Sequence, residues 1–251
     1  MTPPQVQLLL LHGFAQTPAS WNEVRELLDP TWNVLAPELP GHGETALSLG
    51  QPSPELVREQ LIDLAAEADA PLIVWGYSQG ARSAFDFVLE APELVRGLII
   101  ESGAPGIADP VAHAERRSRD YALSTRIEAE PIENFVSLWE NVPALGEQAP
   151  AVIEKQRQMR LSNDPAALAA ALRGLGQAAY EPMWDRLGEI SVPTLLMTGE
   201  QDSVYVAHAV RMAGLIPGAE QLSIPGAAHA VHIARPEAAA SAAADFIAAL
   251  R

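Results

Sequence analysis

The sequence predicts an α/β fold in which a mostly parallel sheet carries helices on both faces and a helical insertion. Three observations lead there. Short apolar runs alternate with stretches of helical periodicity, as expected of strands buried on both faces. One run, Leu72-Ile-Val-Trp75, ends in Gly76-Tyr77-Ser78-Gln79-Gly80 and passes at once into a helical pattern. The rhythm then breaks between about 106 and 182, where charged amphipathic stretches punctuated by Pro131, Pro143, Pro150 and Pro165 contain no convincing strand.

Taken in order, the apolar run Gln5 to Leu11 predicts the first strand. A helix follows from Ser20 to Leu28, with Ser20 as its cap and Glu23 three residues later completing a capping box. Asn33 to Ala36 is the second strand, and Pro54 to Ala68 a helix with proline in its first turn. Leu72 to Trp75 is the third strand, followed by a helix from Gln79 to Leu89; Leu98 to Glu101 is the fourth. Beyond the insertion come the strand Thr194 to Thr198, the helix Val204 to Ile216, the strand Gln221 to Ile224 and an alanine-rich helix from Pro236 to Leu250. Residues 1–105 and 183–251 are thus expected to form one core and 106–182 a helical cap. Because the cap follows the strand ending near Glu101, it should lie over the carboxyl ends of the strands, where open α/β sheets place their ligands.

At 251 residues, 48% of them hydrophobic, the chain can fill a large core. Sixteen basic against 32 acidic residues give a formal net charge of -16, which argues against nucleic acid or an anionic membrane as partner. Lys155 is the only lysine, and Arg116, Arg117, Arg119, Arg126, Arg157, Arg160 and Arg173 all fall between the two halves of the sheet pattern. With no cysteine there is no disulfide, thiol nucleophile or thiolate metal site. Met1-Thr-Pro-Pro has no basic leader, and Val6 to Leu11 is too short for a signal or a membrane span, so a soluble cytoplasmic protein is expected.

Gly76-x-Ser78-x-Gly80 between a strand and a helix reads as a nucleophile elbow. The bend is tight, so only glycine is comfortable two residues either side, where a side chain would meet the neighbouring strand or helix. Serine needs an imidazole within hydrogen-bond reach and a carboxylate to hold its tautomer. Asp202, after the fifth strand, and His229, after the sixth, supply both in the chain order of an α/β hydrolase. Asp202 could instead only cap the next helix, with Glu200 as substitute acid; His232 is the rival of His229, and His42 in Leu39-Pro-Gly-His42 reads as a loop-structuring residue. Neither a metal nor another cofactor is called for, since no further ligand set accompanies His229 and His232. Backbone N–H groups of Gln79, after the nucleophile, and Phe14, after His12-Gly13, are placed to hold a developing oxyanion.

The rest of the chain resembles the 2-succinyl-6-hydroxy-2,4-cyclohexadiene-1-carboxylate synthases, menaquinone-pathway lyases of the α/β-hydrolase superfamily. The matching pieces are Leu11-His-Gly-Phe14, Leu39-Pro-Gly-His-Gly43, Gly76-Tyr-Ser-Gln-Gly-Ala-Arg82, Glu101-Ser-Gly-Ala-Pro-Gly106, Arg160-Leu-Ser-Asn163 and Gly199-Glu-Gln-Asp202. The resemblance implies elimination of pyruvate from a small polycarboxylate, with the triad serine as general base. It also implies that Arg82, Arg116 and Arg160 grip substrate carboxylates and that Tyr77 and Trp139 line the pocket. An arginine one helical turn after Ser78 can face the same cavity, and its fork suits a carboxylate. Ala81 and Ala104 depart from the family pattern and are expected to alter pocket volume or polarity. The alternative is a carboxylesterase working through a covalent acyl-serine.

Overall fold

The computed structural model describes residues 6–43, 50–142 and 148–250. Gln5, the expected start of the first strand, and Pro143 lie outside them.

Six strands, β1 (Gln7–Leu11), β2 (Asn33–Leu35), β3 (Leu72–Tyr77), β4 (Val95–Glu101), β5 (Thr194–Gly199) and β6 (Glu220–Ile224), form one sheet in the order β2-β1-β3-β4-β5-β6. Every pairing is parallel. The side-chain period of two sorts the central strands between two cores. Leu9, Leu11, Val74, Leu98 and Ile100 face one way, against α2 (Pro54–Ala66), α3 (Gln79–Glu90) and the helix Ser203–Ala213. Leu8, Leu10, Ile73, Trp75, Tyr77 and Ile99 face the other, against α1 (Asn22–Leu27) and the C-terminal helix Pro236–Ala249. Each strand leucine fully removed from water contributes roughly 1.5–3 kcal/mol, which is why such short runs commit to the sheet.

Pro54 takes the first helical position of α2, as the sequence predicts, and Ser53 caps the helix by accepting the Leu56 N–H. The first helix departs from expectation. A 3-10 turn over Pro18–Trp21 precedes α1 and is capped by Thr17, while Ser20 is buried inside the turn and its hydroxyl has no partner among the described residues. Pro18 fixes the first position of that turn, so Thr17 rather than Ser20 takes the capping geometry.

Between β4 and β5 the described residues form α4 (Pro110–Ala129), α5 (Ile132–Trp139), α6 (Pro150–Leu161) and α7 (Pro165–Leu175). Asp109 and Asp164 cap α4 and α7. A third apolar cluster joins Ile127, Phe135, Val136, Leu168 and Leu172 of these helices to Ala15 and Phe14 of the loop after β1, so they pack over the carboxyl end of the sheet. The Ser203–Ala213 helix is α8, Val231–Ala234 α9 and Pro236–Ala249 α10. Among the described residues no helix is long and apolar enough to cross a membrane.

Candidate active site

Ser78 stands between β3 and α3 at φ 52°, ψ −104°, a conformation that costs a non-glycine residue energy and that the surroundings must impose. Its neighbours explain the glycines. A Cβ on Gly76 would lie 2.5 Å from the Gly80 carbonyl oxygen and 2.7 Å from Ala81 Cα, while one on Gly80 would collide with the Leu11 carbonyl. The bend is therefore clamped between its own helix and β1, and the Ser78 N–H donates to the Glu101 carbonyl at 3.0 Å.

The serine hydroxyl meets His229 Nε2 at 3.0 Å, and His229 Nδ1 meets Asp202 Oδ2 at 2.7 Å. An ionised carboxylate only accepts, so Nδ1 carries the proton and the Nε2 lone pair faces the serine O–H. Asp202 occupies the capping position of α8, yet its side chain makes no capping bond and goes to His229 instead. Glu200 is exposed, its carboxylate accepting the Gly226 N–H at 3.4 Å, away from the imidazole. The Asp202 and His229 loops are joined by main-chain bonds from Glu200 to Ile224 and from Gln201 to Ala227.

Gln79 opens α3, so its N–H has no carbonyl one turn back to bond. Phe14 borders the same cavity as Ser78 and His229. Beneath Phe14, Tyr77 packs so tightly on Gly13 that a Cβ there would stand 2.6 Å from its ring. His12 donates from Nδ1 to the Gly13 carbonyl at 2.9 Å and accepts the Leu39 N–H at Nε2, 3.0 Å away, which requires the neutral ring. Burial pushes His12 down to about 4 and its edge-on neighbour His42 down to about 3. His42 shapes its loop, with Nδ1 near the Leu39 and Pro40 carbonyls.

A cavity of about 160 Å³ opens above the serine, and Tyr77, Arg82, Arg116, Trp139 and Arg160 all line it. The arginines differ in their partners. Arg82 is 4% exposed; its guanidinium makes one long bond, 3.4 Å to the Leu175 carbonyl, and its Nε has no acceptor among the described residues. Among the described residues no carboxylate pairs with it. Arg160, 2% exposed, donates to Gln156 Oε1 at 2.7 Å and lies 3.5 Å from Glu140, and its Nε has no partner among the described residues. Burial lowers the pKa of both guanidiniums from the ordinary arginine value. Arg116 is half-buried, bonded to Asp120 at 2.7 Å and to Gln177. Arg117 and Arg119 are exposed, and Arg119 pairs with Glu115.

Several cavity residues carry no sequence signal. Gln16 accepts the Gly13 N–H at 3.3 Å and donates to Gln156 at 3.3 Å, linking the loop after β1 to the helix that bears Arg160. Partners 140 residues apart leave no spacing to read. Tyr205 and Gln177, bonded to each other at 3.0 Å, are equally silent, although Tyr205 lies one turn past Asp202. The expectations for Ala81 and Ala104 are corrected. Ala81 is fully buried under Gly103 and does not line the cavity, and Ala104 borders an adjoining hollow with Trp184 and Arg211 rather than the space above Ser78. His232, the rival of His229, does not reach the serine and is buried against Glu101.

A parallel sheet presenting serine, acid and histidine from the ends of β3, β5 and β6 is the architecture of the α/β-hydrolase class of enzymes. The profile described as the Alpha/beta hydrolase family matches residues 8–242. A Klebsiella pneumoniae protein named 2-succinyl-6-hydroxy-2,4-cyclohexadiene-1-carboxylate synthase is 31% identical over 243 residues, 96% of this chain and 93% of the relative. The structure of MenH from S. aureus superimposes with a TM-score of 0.93 at 31% identity, covering 98% of this chain and 94% of its own. A thermophilic esterase from Thermogutta terrifontis, in a malate-bound structure, gives a TM-score of 0.86 at 28% identity over 98% of this chain and 91% of its own. The chain belongs to the alpha/beta hydrolase family, on the branch whose relatives carry the synthase name.

Proposed function

We propose that this protein is a carbon–oxygen lyase that eliminates pyruvate from 2-succinyl-5-enolpyruvyl-6-hydroxy-3-cyclohexene-1-carboxylate, giving 2-succinyl-6-hydroxy-2,4-cyclohexadiene-1-carboxylate in menaquinone biosynthesis. The observation that carries this reading is Arg82: a buried cation with no ion-paired carboxylate among the described residues, one helical turn from Ser78, on the wall of its cavity. A buried charge is costly unless paired, and an anionic substrate is the partner such a site suits. The substrate carries three carboxylates, and Arg82, Arg116 and Arg160 offer three guanidiniums around one space. Tyr77 and Trp139 give that space its apolar walls.

Comparing substrate with product defines the bonds. The 3-ene becomes a 2,4-diene, so the C2–H bond breaks beside the succinyl ketone and the C5–O bond to enolpyruvate breaks with it. Ser78, its hydroxyl proton drawn onto His229 Nε2, takes the C2 proton; Asp202 holds the imidazolium that forms. The electron pair passes into the ketone oxygen as an enolate, facing the N–H groups of Phe14 and Gln79. Its collapse expels enolpyruvate, which takes up a proton to become pyruvate. No acyl-serine forms along this route.

Pyruvate release from the pathway intermediate, assayed beside hydrolysis of a simple uncharged ester on the same preparation, tests this. Pyruvate with little ester turnover supports the lyase. Rapid ester turnover without pyruvate would replace it with a carboxylesterase.

A further inference from the structure

The triad leaves unexplained a second buried acid–histidine pair beside it. Glu101, the last residue of β4, and His232 are both fully buried, and neither lines the cavity. Glu101 Oε1 accepts the His232 main-chain N–H at 3.0 Å and its Nδ1–H at 2.7 Å, and Oε2 accepts Trp75 Nε1–H at 3.1 Å. The His232 ring stacks on Trp21, centroids 4.1 Å apart, and stands edge-on to Tyr77 at 4.7 Å. Tyr77 in turn packs on His229, with ring centroids 5.3 Å apart.

Sheet order shows what this pair spans. Ser78 follows β3 and His229 follows β6, with β4 and β5 between them. At about 4.8 Å per strand the two loops start about 14 Å apart. To reach Ser78 the His229 segment must cross back over the ends of β5 and β4, and at the end of β4 its His232 meets Glu101. The same residue holds Ser78, since its carbonyl accepts the Ser78 N–H at 3.0 Å. Main chain fixes the serine and side chain fixes the turn that carries the imidazole.

We propose that Glu101, acting through His232, is the positioning residue that sets the separation of Ser78 from His229. It touches no substrate and moves no proton. A carboxylate held by three donors in the protein interior is a rigid anchor, and a shift of about 1 Å between reacting groups is enough to cost about 100-fold in rate. The effect on turnover rests on the lyase reading; the geometric role does not.

The test compares Glu101→Ala, Glu101→Gln, His232→Ala and His232→Asn, using two readouts on folded protein. One is the rate of Ser78 labelling by a fluorophosphonate, in which the serine oxygen bonds to phosphorus, its proton passes to His229 and fluoride leaves. The other is kcat and KM for pyruvate release. Both alanine variants are expected to label about 10–100-fold more slowly, and to lose kcat to match with KM within about threefold. Glu101→Gln keeps an acceptor and His232→Asn keeps a donor, so each should recover most of the loss. Alanine variants that melt lower but label at the wild-type rate would overturn the proposal by leaving only a stability role. Should Glu101→Ala not fold, the two His232 variants make the same comparison from the other side. Wild-type protein that labels but releases no pyruvate, with labelling lost in the variants, would remove the assigned reaction and keep the positioning role.

Discussion

A side-chain carbon at Gly76 would stand 2.5 Å from the carbonyl oxygen of Gly80, inside van der Waals contact by about an ångström. The two glycines of the elbow therefore hold the strand and helix against each other. Gly76→Ala is expected to destabilise the fold by about 1–3 kcal/mol and to slow labelling of Ser78, because the helix must move to admit the methyl group. Denaturant midpoints and labelling rates check it; a variant unchanged in both would show that the elbow yields freely.

Asp202 accepts from His229 Nδ1, which fixes the proton on that nitrogen. In Asp202→Asn the amide can donate there, moving the ring proton to Nε2 and leaving no lone pair for the serine. Turnover should fall about 10³–10⁴-fold with KM little changed. An equal loss in kcat/KM arising from KM alone would show that Asp202 serves the helix and not the imidazole.

Arg82 should trade stability for binding. Arg82→Met removes a buried charge with no ion-paired carboxylate among the described residues, so the melting temperature is expected to hold or rise, while KM rises about 10–100-fold through loss of a charge-assisted pair. Lysine should not restore KM, since it lacks the planar fork. A melting temperature that falls sharply with KM unchanged would make Arg82 a structural residue.

The pH dependence of stability has a definite sign. His12 and His42 have folded pKa values of about 4 and about 3, below the ordinary 6.5, so their contribution is fully present above 6.5 and is lost as pH falls towards those values. Asp86, raised to about 6 by burial despite Arg58, acts oppositely: its contribution is present below 3.8 and is lost as pH rises through 6. Between about 4 and 6 the two histidine protons gained on unfolding exceed the one that Asp86 releases. The unfolding free energy should thus fall on acidification, by about 1.4 kcal/mol per pH unit per net proton. Denaturant titrations in the wild type and in His12→Gln check it, the variant losing one proton's slope; a profile flat from about 6.5 to about 4.5 would contradict it.

What could be read from the chain divides along physical lines. β3, α3 and the elbow were legible because steric demand writes itself into adjacent residues, as Gly76 and Gly80 show. Ser78, Asp202 and His229 were legible because each ends a strand whose apolar run is visible. Thr17 was not found as a cap, since Ser20 and Glu23 carry the same residue pattern and only the geometry imposed by Pro18 separates them. Gln16, Gln156 and Glu101 were missed for a different reason: their partners are distant in sequence, and a polar residue destined for the interior looks like any other polar residue until the fold closes over it. The arginines became meaningful only once burial set Arg82 and Arg160 apart from Arg117 and Arg119.

The Arg82 guanidinium, which has no ion-paired carboxylate among the described residues, has a practical outcome at the bench. Citrate, succinate or malate in a buffer would compete for the same wall of the cavity, raising apparent KM and the melting point together, and added salt would blunt the effect. Pyruvate itself, as it accumulates, would slow the enzyme by the same route.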